Sequence, residues 1–138
     1  MGYRPAVRRA RRNLPVRIHF SAGICGDSDG LNQPKVADFR KIGTTVYTGG
    51  VSGKAGDVPM QIRDIMRKLQ ATLEEAGARL DTVVKATVYL AYMPDCEQYL
   101  NPIWNEIFGA NPPARTVIQA GLENGIFVKI EFVAEARA

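Results

Sequence analysis

Arg115 is the residue whose type and setting best suit chemistry in this sequence. It follows Pro112, Pro113 and Ala114, a stiff lead that fixes where the next strand begins. A guanidinium grips a carboxylate through two parallel hydrogen bonds and stays charged at any working pH. The sequence therefore predicts a small-carboxylate site at Arg115. Position alone leaves open a second interpretation, an arginine that pairs with an acid at a strand start.

Lys129 and Glu131 form a second candidate pair. They stand two residues apart in a strand-like run, so their side chains share one face. Antiparallel pairing across a turn at Asn124-Gly125 is expected to bring Lys129 near Arg115, in a doubly cationic cleft. Such a cleft suits a dicarboxylate or a phosphate, and a desolvated lysine could act as a base. The alternative is a solvent-facing lysine on an edge strand.

Several other chemistries lack the residues they need. His19 is the only histidine, which argues against a histidine-based metal site or a Ser-His-Asp triad. Cys25 and Cys96 have no zinc or CxxC spacing and are interpreted as reduced thiols of a cytoplasmic protein. No GxxxxGK motif follows Gly49-Gly50. We therefore expect neither a metal nor a cofactor.

The basic charge of the chain is concentrated at its N-terminus. Six of the 18 basic residues lie in the first 17 positions, and they are Arg4, Arg8, Arg9, Arg11, Arg12 and Arg17. No acid precedes Asp27, so the rest of the chain is mildly acidic. We expect residues 1–13 to form a flexible tail and residues 14–138 a single domain. The alternative is a tail that contacts RNA or an anionic surface, but only Tyr3 is available there for base stacking.

Hydrophobic periodicity predicts the first elements of the domain. A short strand is expected around residues 16–20, and two more over residues 36–42 and 45–51, with Gly49-Gly50 ending or bulging the last. A helix follows, since Asp57 can cap it and Gly77 can stop it. Its apolar residues recur at spacings of three and four: Ile62, Ile65, Met66, Leu69 and Leu73.

The second half of the chain alternates in the same way. A buried strand is predicted over residues 82–90, a helix over 96–108, and two last strands over 116–120 and 127–134. This order predicts an α+β fold, a single mixed sheet with two helices on one face. The opposite face would carry too many apolar residues for water, so we expect other subunits to cover it. No run approaches the roughly 20 apolar residues that span a bilayer, and no membrane partner is expected.

Five motifs in order resemble those of the Rid (YjgF/YER057c) family over residues 36–134. The segments EAG at 75–77 and DTVVKATVYL at 81–90 are similar to the family's "EAG…(D/E)xVVKxTVfL". VYTGG at 46–50 resembles "vyTSGq", and NPPART at 111–116 resembles "PPARs/t". Asn101 with Trp104 and Phe108 resembles "N-x-x-Y…F", and VKIEFVA at 128–134 resembles "vEIEaiA".

The resemblance implies a YjgF-like, chorismate-mutase-like fold that assembles as a homotrimer, with three clefts for a small carboxylate substrate at the subunit interfaces. Characterised members of the family hydrolyse short-lived enamines and imines to the keto acid and ammonia without a cofactor. Some are described instead as translation inhibitors or ribonucleases. We expect a deaminase. The alternatives are a carboxylate-binding trimer without catalysis and an RNA-directed protein that uses the arginine tail.

The resemblance also assigns roles within the cleft. Arg115 would hold the carboxylate, and Asn101 would reach the cleft, although one extra residue lies between Asp95 and Asn101 compared with the usual spacing. Val117 stands where the family has a cysteine whose backbone carbonyl holds the water. Gly49 stands where the family has a serine.

Two further departures bear on the hydrolytic water. Val36 stands where the family usually has a tyrosine. Lys129 aligns with the acidic residue that orients the water, so the charge is reversed there. Glu131 matches a separate acidic position of the family. We therefore expect Arg115 and Lys129 to be the catalytic candidates, with Glu131 as part of the binding surface.

Overall fold

The structure is a computed structural model that describes residues 19–22, 35–54 and 56–137. The predicted tail at residues 1–13 and most of the first predicted strand lie outside these ranges. The end of that strand coincides with an observed one, His19–Ala22, called β1 here. No helix in the described part of the chain is long and apolar enough to cross a bilayer.

Seven strands form one mixed sheet, as the sequence predicts. After β1 come β2 (Lys35–Ile42), β3 (Thr45–Thr48), β4 (Val51–Ser52), β5 (Val83–Leu90), β6 (Ala114–Gln119) and β7 (Val128–Glu135). Their spatial order is β1-β2-β3-β7-β5-β6, and β4 also pairs with β7. Only β5 and β6 run parallel, whereas every other pair is antiparallel. The sheet has one strand more than the sequence predicts, because Gly49-Gly50 divides one predicted strand into β3 and β4.

The two helices lie where the periodicity predicts them. Helix α1 (Val58–Glu75) starts at the cap Asp57, whose carboxylate accepts a hydrogen bond of 2.9 Å from the Met60 amide. Beyond its end, Gly77 has a φ of +83°, a left-handed backbone that glycine adopts without strain. Helix α2 (Asn101–Phe108) follows a π-helical turn at Cys96–Leu100. Together the turn and α2 fill the helix predicted over residues 96–108.

Both helices pack on the same face of the sheet. The alternation of buried positions along β5 and β7 places Val88, Ile130 and Phe132 against the helices, together with Leu69 of α1 and Trp104 of α2. Large apolar side chains therefore fill the space between helices and sheet, in agreement with the predicted α+β architecture. The face that these residues occupy is called the helix face below, and the opposite one the open face.

The open face carries exposed apolar side chains. In one copy of the chain these are Val36, Ile42, Tyr47 and Ile118. They are distributed over three strands of this face, where Tyr47 of β3 is opposite Val133 and Ile118 of β6 is opposite Tyr89. That other subunits cover this face stays a prediction.

Candidate functional site

Arg115 is the second residue of the edge strand β6, which begins directly after the two prolines. Within the parallel pair β5–β6 it is opposite Ala86, a buried residue of the helix face. Its side chain therefore points toward the helices rather than toward the open face. The residue is half-buried, since α2 covers it on one side only.

Asn101 fixes the guanidinium of Arg115. A terminal nitrogen of Arg115 donates a hydrogen bond of 2.8 Å to Asn101 Oδ1, and Cys96 Sγ lies 3.6 Å from the same oxygen as a second donor. A guanidinium can only donate, so the amide oxygen must face Arg115 and the amide NH₂ must face away. Asn101 thus contacts Arg115 directly.

A π-helical turn precedes Asn101, and it has room for the extra residue that the family resemblance implies there. A π turn holds one residue more than an α turn, so it absorbs a single insertion without rotating the helix that follows. The turn Cys96–Leu100 ends directly before Asn101, the first residue of α2. Asn101 therefore keeps its place on the side of α2 that faces β6.

Trp104 lies one turn further along α2 and stacks on Arg115. The guanidinium carbon is 5.0 Å from the centre of the indole ring, a cation–π distance. Phe108 and Phe132 hold the ring from the other sides, with ring centres 4.6 and 6.4 Å away. Arg115 thus lies against a rigid aromatic wall, which restricts its rotamers.

A depression of about 370 Å³ opens beside Arg115, between α2 and the two prolines. Its walls come from Asn101, Trp104, Asn105, Pro112, Pro113 and Arg115. No ion pair to Arg115 occurs within residues 35–54 and 56–137. The alternative of an arginine paired with an acid at a strand start therefore finds no support in the described part of the chain. The guanidinium keeps donors for an anionic ligand.

Lys129 and Glu131 share a face, as predicted, but it is the open face. Lys129 is opposite Tyr89 and Glu131 is opposite Thr87, and the residues between them are buried on the helix side. Glu131 accepts a hydrogen bond of 3.1 Å from the Tyr89 hydroxyl. The methylenes of Lys129 lie along Gly50, where an added Cβ would be only 3.0 Å from Cε.

The expected approach of Lys129 to Arg115 within one chain is wrong. The strands that carry them, β7 and β6, are not neighbours, because β5 inserts between them and pairs with both. The two side chains also point to opposite faces of the sheet. The turn at Asn124-Gly125 exists, with a φ of +80° at Gly125, but it connects strands that do not pair.

The two remaining site candidates are Gly49 and Val117, neither of which has a polar side chain. Gly49 lies in the break between β3 and β4, where its amide donates a 2.9 Å hydrogen bond to the Asp38 carbonyl. Val117 is opposite Val88 in β6, and its side chain packs against the core. Val117 therefore lies on the same side of β6 as Arg115, two residues along. Neither position offers a titratable side chain.

Comparison with known proteins identifies the group to which this arrangement belongs. The profile of a family described as endoribonuclease L-PSP matches residues 37–136, which is most of the chain. The chain belongs to the Rid (YjgF/RutC) family. A RutC family protein from Pyrococcus abyssi is 36% identical over 80 residues, which cover 57% of this chain and 62% of that protein. The matched region thus spans less than two thirds of that relative.

Solved structures agree with this Rid-family fold. A member of the YjgF/YER057c/UK114 family from Mycobacterium tuberculosis superposes with a TM-score of 0.69 at 26% identity, over 73% of this chain and 86% of that one. A YjgF-family member from Neisseria meningitidis gives a TM-score of 0.70 at 23% identity, over 75% of this chain and 88% of that one. The second likeness concerns the fold alone.

Two features of this Rid-family site escape reasoning from the sequence. The hydroxyl of Tyr89 bonds to Glu131, and nothing in a run of alternating apolar residues indicates that pairing. Trp104 enters the sequence analysis only as part of a helix motif, which does not indicate that it stacks on Arg115. The spacing of Asn101 and Trp104, three residues apart on a predicted helix, is the one signal that places both on the side of Arg115.

Proposed function

We propose that this chain is an enamine/imine deaminase, which hydrolyses a reactive 2-imino or 2-enamino acid to the keto acid and ammonia. One observation carries the proposal. Arg115 is held in place by Asn101 and Trp104, yet it has no acidic partner among the described residues. A half-buried arginine with free donors favours a small carboxylate, which it can bind through two parallel hydrogen bonds.

Glu131 is the residue proposed to orient the hydrolytic water. One of its carboxylate oxygens accepts the hydrogen bond from Tyr89, so the other is available to a water molecule. Family resemblance puts the water-orienting acid at the position of Lys129, and Glu131 lies two residues on along the same face of β7. We therefore propose Glu131 for this role, with Lys129 as a neighbouring cation that attracts an acidic substrate.

The two halves of the site are proposed to come from different copies. Arg115 is on the helix face of the edge strand, whereas Glu131 and Lys129 are on the open face. One small substrate cannot touch both faces of one sheet, so a single copy is incomplete. A homotrimer, which the family resemblance implies, would bring the edge of one sheet to the open face of the next. The exposed apolar side chains of that face support such an assembly.

The proposed reaction needs only protein groups and water. Arg115 fixes the carboxylate, which places the adjacent protonated imine carbon for attack. Water forms a bond to that carbon while the C=N electron pair moves to nitrogen and the Glu131 carboxylate accepts a proton from the water. Glu131 then returns the proton to the nitrogen. The C–N bond then breaks and ammonia leaves, while the hydroxyl of the addition product gives its proton to the Glu131 carboxylate and becomes the carbonyl of the keto acid.

The test is hydrolysis of an enamine generated in situ by a PLP-dependent enzyme, with semicarbazide trapping what remains. Arg115→Ala is expected to lower kcat/KM by about 10²-fold or more, because the substrate loses its positioning group. Arg63→Ala removes an arginine that pairs with Glu106 on the surface, and it is the matched control. Equal activity of Arg115→Ala and Arg63→Ala would refute the role of Arg115.

A second candidate is a trimer that binds small carboxylates without turnover. The positions of Gly49, Val117 and Lys129 favour it, since each departs from the residue that the family has there. This candidate predicts that acetate or pyruvate raises the melting temperature in an Arg115-dependent way while the enamine is not consumed. An RNA-directed function has no support among the described residues. The salt dependence of RNA binding would test it.

A further inference from the structure

The hydrogen bond between Tyr89 and Glu131 joins two strands on the open face. Tyr89 Oη donates to Glu131 Oε1 over 3.1 Å. In the antiparallel pair β5–β7, Tyr89 is opposite Lys129 and Glu131 is opposite Thr87, so the hydroxyl reaches its partner diagonally. Both residues are half-buried already in one copy, so this is not a freely rotating surface contact.

Tyr89 is the only fixed side-chain partner of Glu131 in the described part of the chain. The charged groups facing Glu131 are Lys129 on its own strand and Lys85 on β5, two residues before Thr87. Neither lysine comes within ion-pair distance among the described residues. From β3, Tyr47 faces the same region opposite Val133. The orientation of the Glu131 carboxylate is therefore set by the Tyr89 hydroxyl.

The hydroxyl suits this task chemically. The bond to Glu131, with a smaller contribution from burial, raises the pKa of Tyr89 above its ordinary value, so the phenol keeps its proton at any working pH. A permanent donor on Oε1 leaves Oε2 of the Glu131 carboxylate to accept from another group. The pair can thus hold a water molecule at a defined point above the sheet.

We propose that Tyr89 is a positioning residue that orients the Glu131 carboxylate toward the hydrolytic water. The proposal rests on the deaminase function proposed above. The proposal gives the two residues different roles: Arg115 binds the substrate, whereas Tyr89 affects only the step in which water adds. A change at Tyr89 should therefore alter kcat and leave KM nearly unchanged.

The test compares Tyr89→Phe with the wild-type trimer and with Tyr92→Phe, which removes the hydroxyl of an exposed tyrosine three residues further on. Tyr89→Phe is expected to lower kcat about tenfold with KM unchanged, as the loss of one hydrogen bond in the transition state implies. Tyr92→Phe is expected to change neither. The melting temperature of Tyr89→Phe should stay close to that of the wild type, because phenylalanine fits a strand equally well.

A second measurement does not depend on activity. Tyrosines labelled with ¹³C at Cζ are titrated by NMR, and the pKa of the Tyr89 phenol is expected to lie above its ordinary value in the wild type and to fall in Glu131→Gln. An unchanged kcat in Tyr89→Phe, or a Tyr89 titration that Glu131→Gln leaves unmoved, overturns the proposal. A wild-type protein that consumes no enamine overturns the deaminase function instead. That failure is distinct, because the titration then still reports whether the pair forms.

Discussion

Arg115 and Lys129 lie on opposite faces of one sheet, with strand β5 between the strands that carry them. The parallel pairing of β5 with β6 puts Arg115 opposite the buried Ala86, while antiparallel pairing puts Lys129 opposite Tyr89. One small ligand therefore cannot contact both side chains of a single copy. Any chemistry that uses both must draw them from different copies.

Mixing of two inactive variants tests this arrangement. Arg115→Ala and Glu131→Gln are each expected to abolish hydrolysis as pure proteins. In every trimer that contains both variants, one interface of the three combines an intact Arg115 with an intact Glu131, so about a third of the wild-type activity should return. Co-expression with two different tags, followed by tandem purification and the enamine assay, measures it. No recovery in verified mixed trimers would place both residues in one chain's site.

Removal of the Asn101 amide should free Arg115 without unfolding the protein. Asn101→Ala leaves the guanidinium with only its stacking on Trp104, and its carboxylate affinity should fall roughly tenfold, as the loss of one charge-assisted hydrogen bond implies. Asn101→Asp should weaken binding further, because the new carboxylate pairs with Arg115 and competes with the ligand. Calorimetric titration with pyruvate measures both. An affinity for pyruvate that increases in Asn101→Asp would contradict this account.

The sequence predicts the fold well because its signals are local. The cap at Asp57, the glycine at Gly77 and the strand run ending at Leu90 each act within a few residues, and each element lies where it was expected. Local signals do not determine which strand a given strand pairs with. The last two strands look like a hairpin across Gly125, but β7 pairs with β5, and the two long strands form seven residue pairs that place their buried side chains on the same face.

The candidate site was predictable only in part, for the same reason. The NPPART segment indicates Arg115, and helical spacing places Asn101 and Trp104 on one side. Which face of the sheet a strand residue occupies depends on pairing across the sheet, so the separation of Arg115 from Lys129 required the structure. The contact of Tyr89 with Glu131 spans 42 positions in the chain and has no local signal.

Gln61 should be more important for stability than its polarity suggests. It is fully buried in α1, and its amide nitrogen donates to the carbonyls of Gly56 and Gly125 while its oxygen accepts from the Phe127 amide. Gln61→Ala leaves three backbone groups without partners and creates a cavity. We expect a loss of about 3 kcal/mol in the free energy of unfolding.

The control for this prediction lies on the same helix. Gln70 is exposed and bonds only to Glu74, one turn on, so Gln70→Ala should cost less than about 0.5 kcal/mol. Urea unfolding followed by circular dichroism measures the loss in the free energy of unfolding for both variants, and the m-value should be the same as in the wild type. A similar small loss for Gln61→Ala would mean that the segment near Gly125 is not anchored through this side chain.

Asp64 is expected to make stability dependent on pH in the acid range. The pKa of its carboxyl is lowered from 3.8 to about 2, chiefly by the hydrogen bond from the Lys54 amide and then by Arg67 and Lys68. A carboxyl whose pKa is lower in the folded state stabilises the protein above the unfolded pKa, and this contribution is lost as the pH falls through the folded pKa. The wild type should therefore exceed Asp64→Asn in stability by a constant amount above about pH 5, and the difference should shrink between pH 4 and pH 2.

Thermal or urea unfolding of both proteins between pH 2 and pH 7 measures that difference. Met60→Ala provides a control, since Met60 is exposed on the same helix and has no titratable group. Its difference from the wild type should stay nearly flat over the same range. If the gap between wild type and Asp64→Asn does not narrow toward pH 2, the contacts of Lys54, Arg67 and Lys68 do not hold the Asp64 carboxylate in solution. The link from β4 to α1 must then rest on other contacts, such as the hydrogen bond of Lys68 to the Ser52 carbonyl.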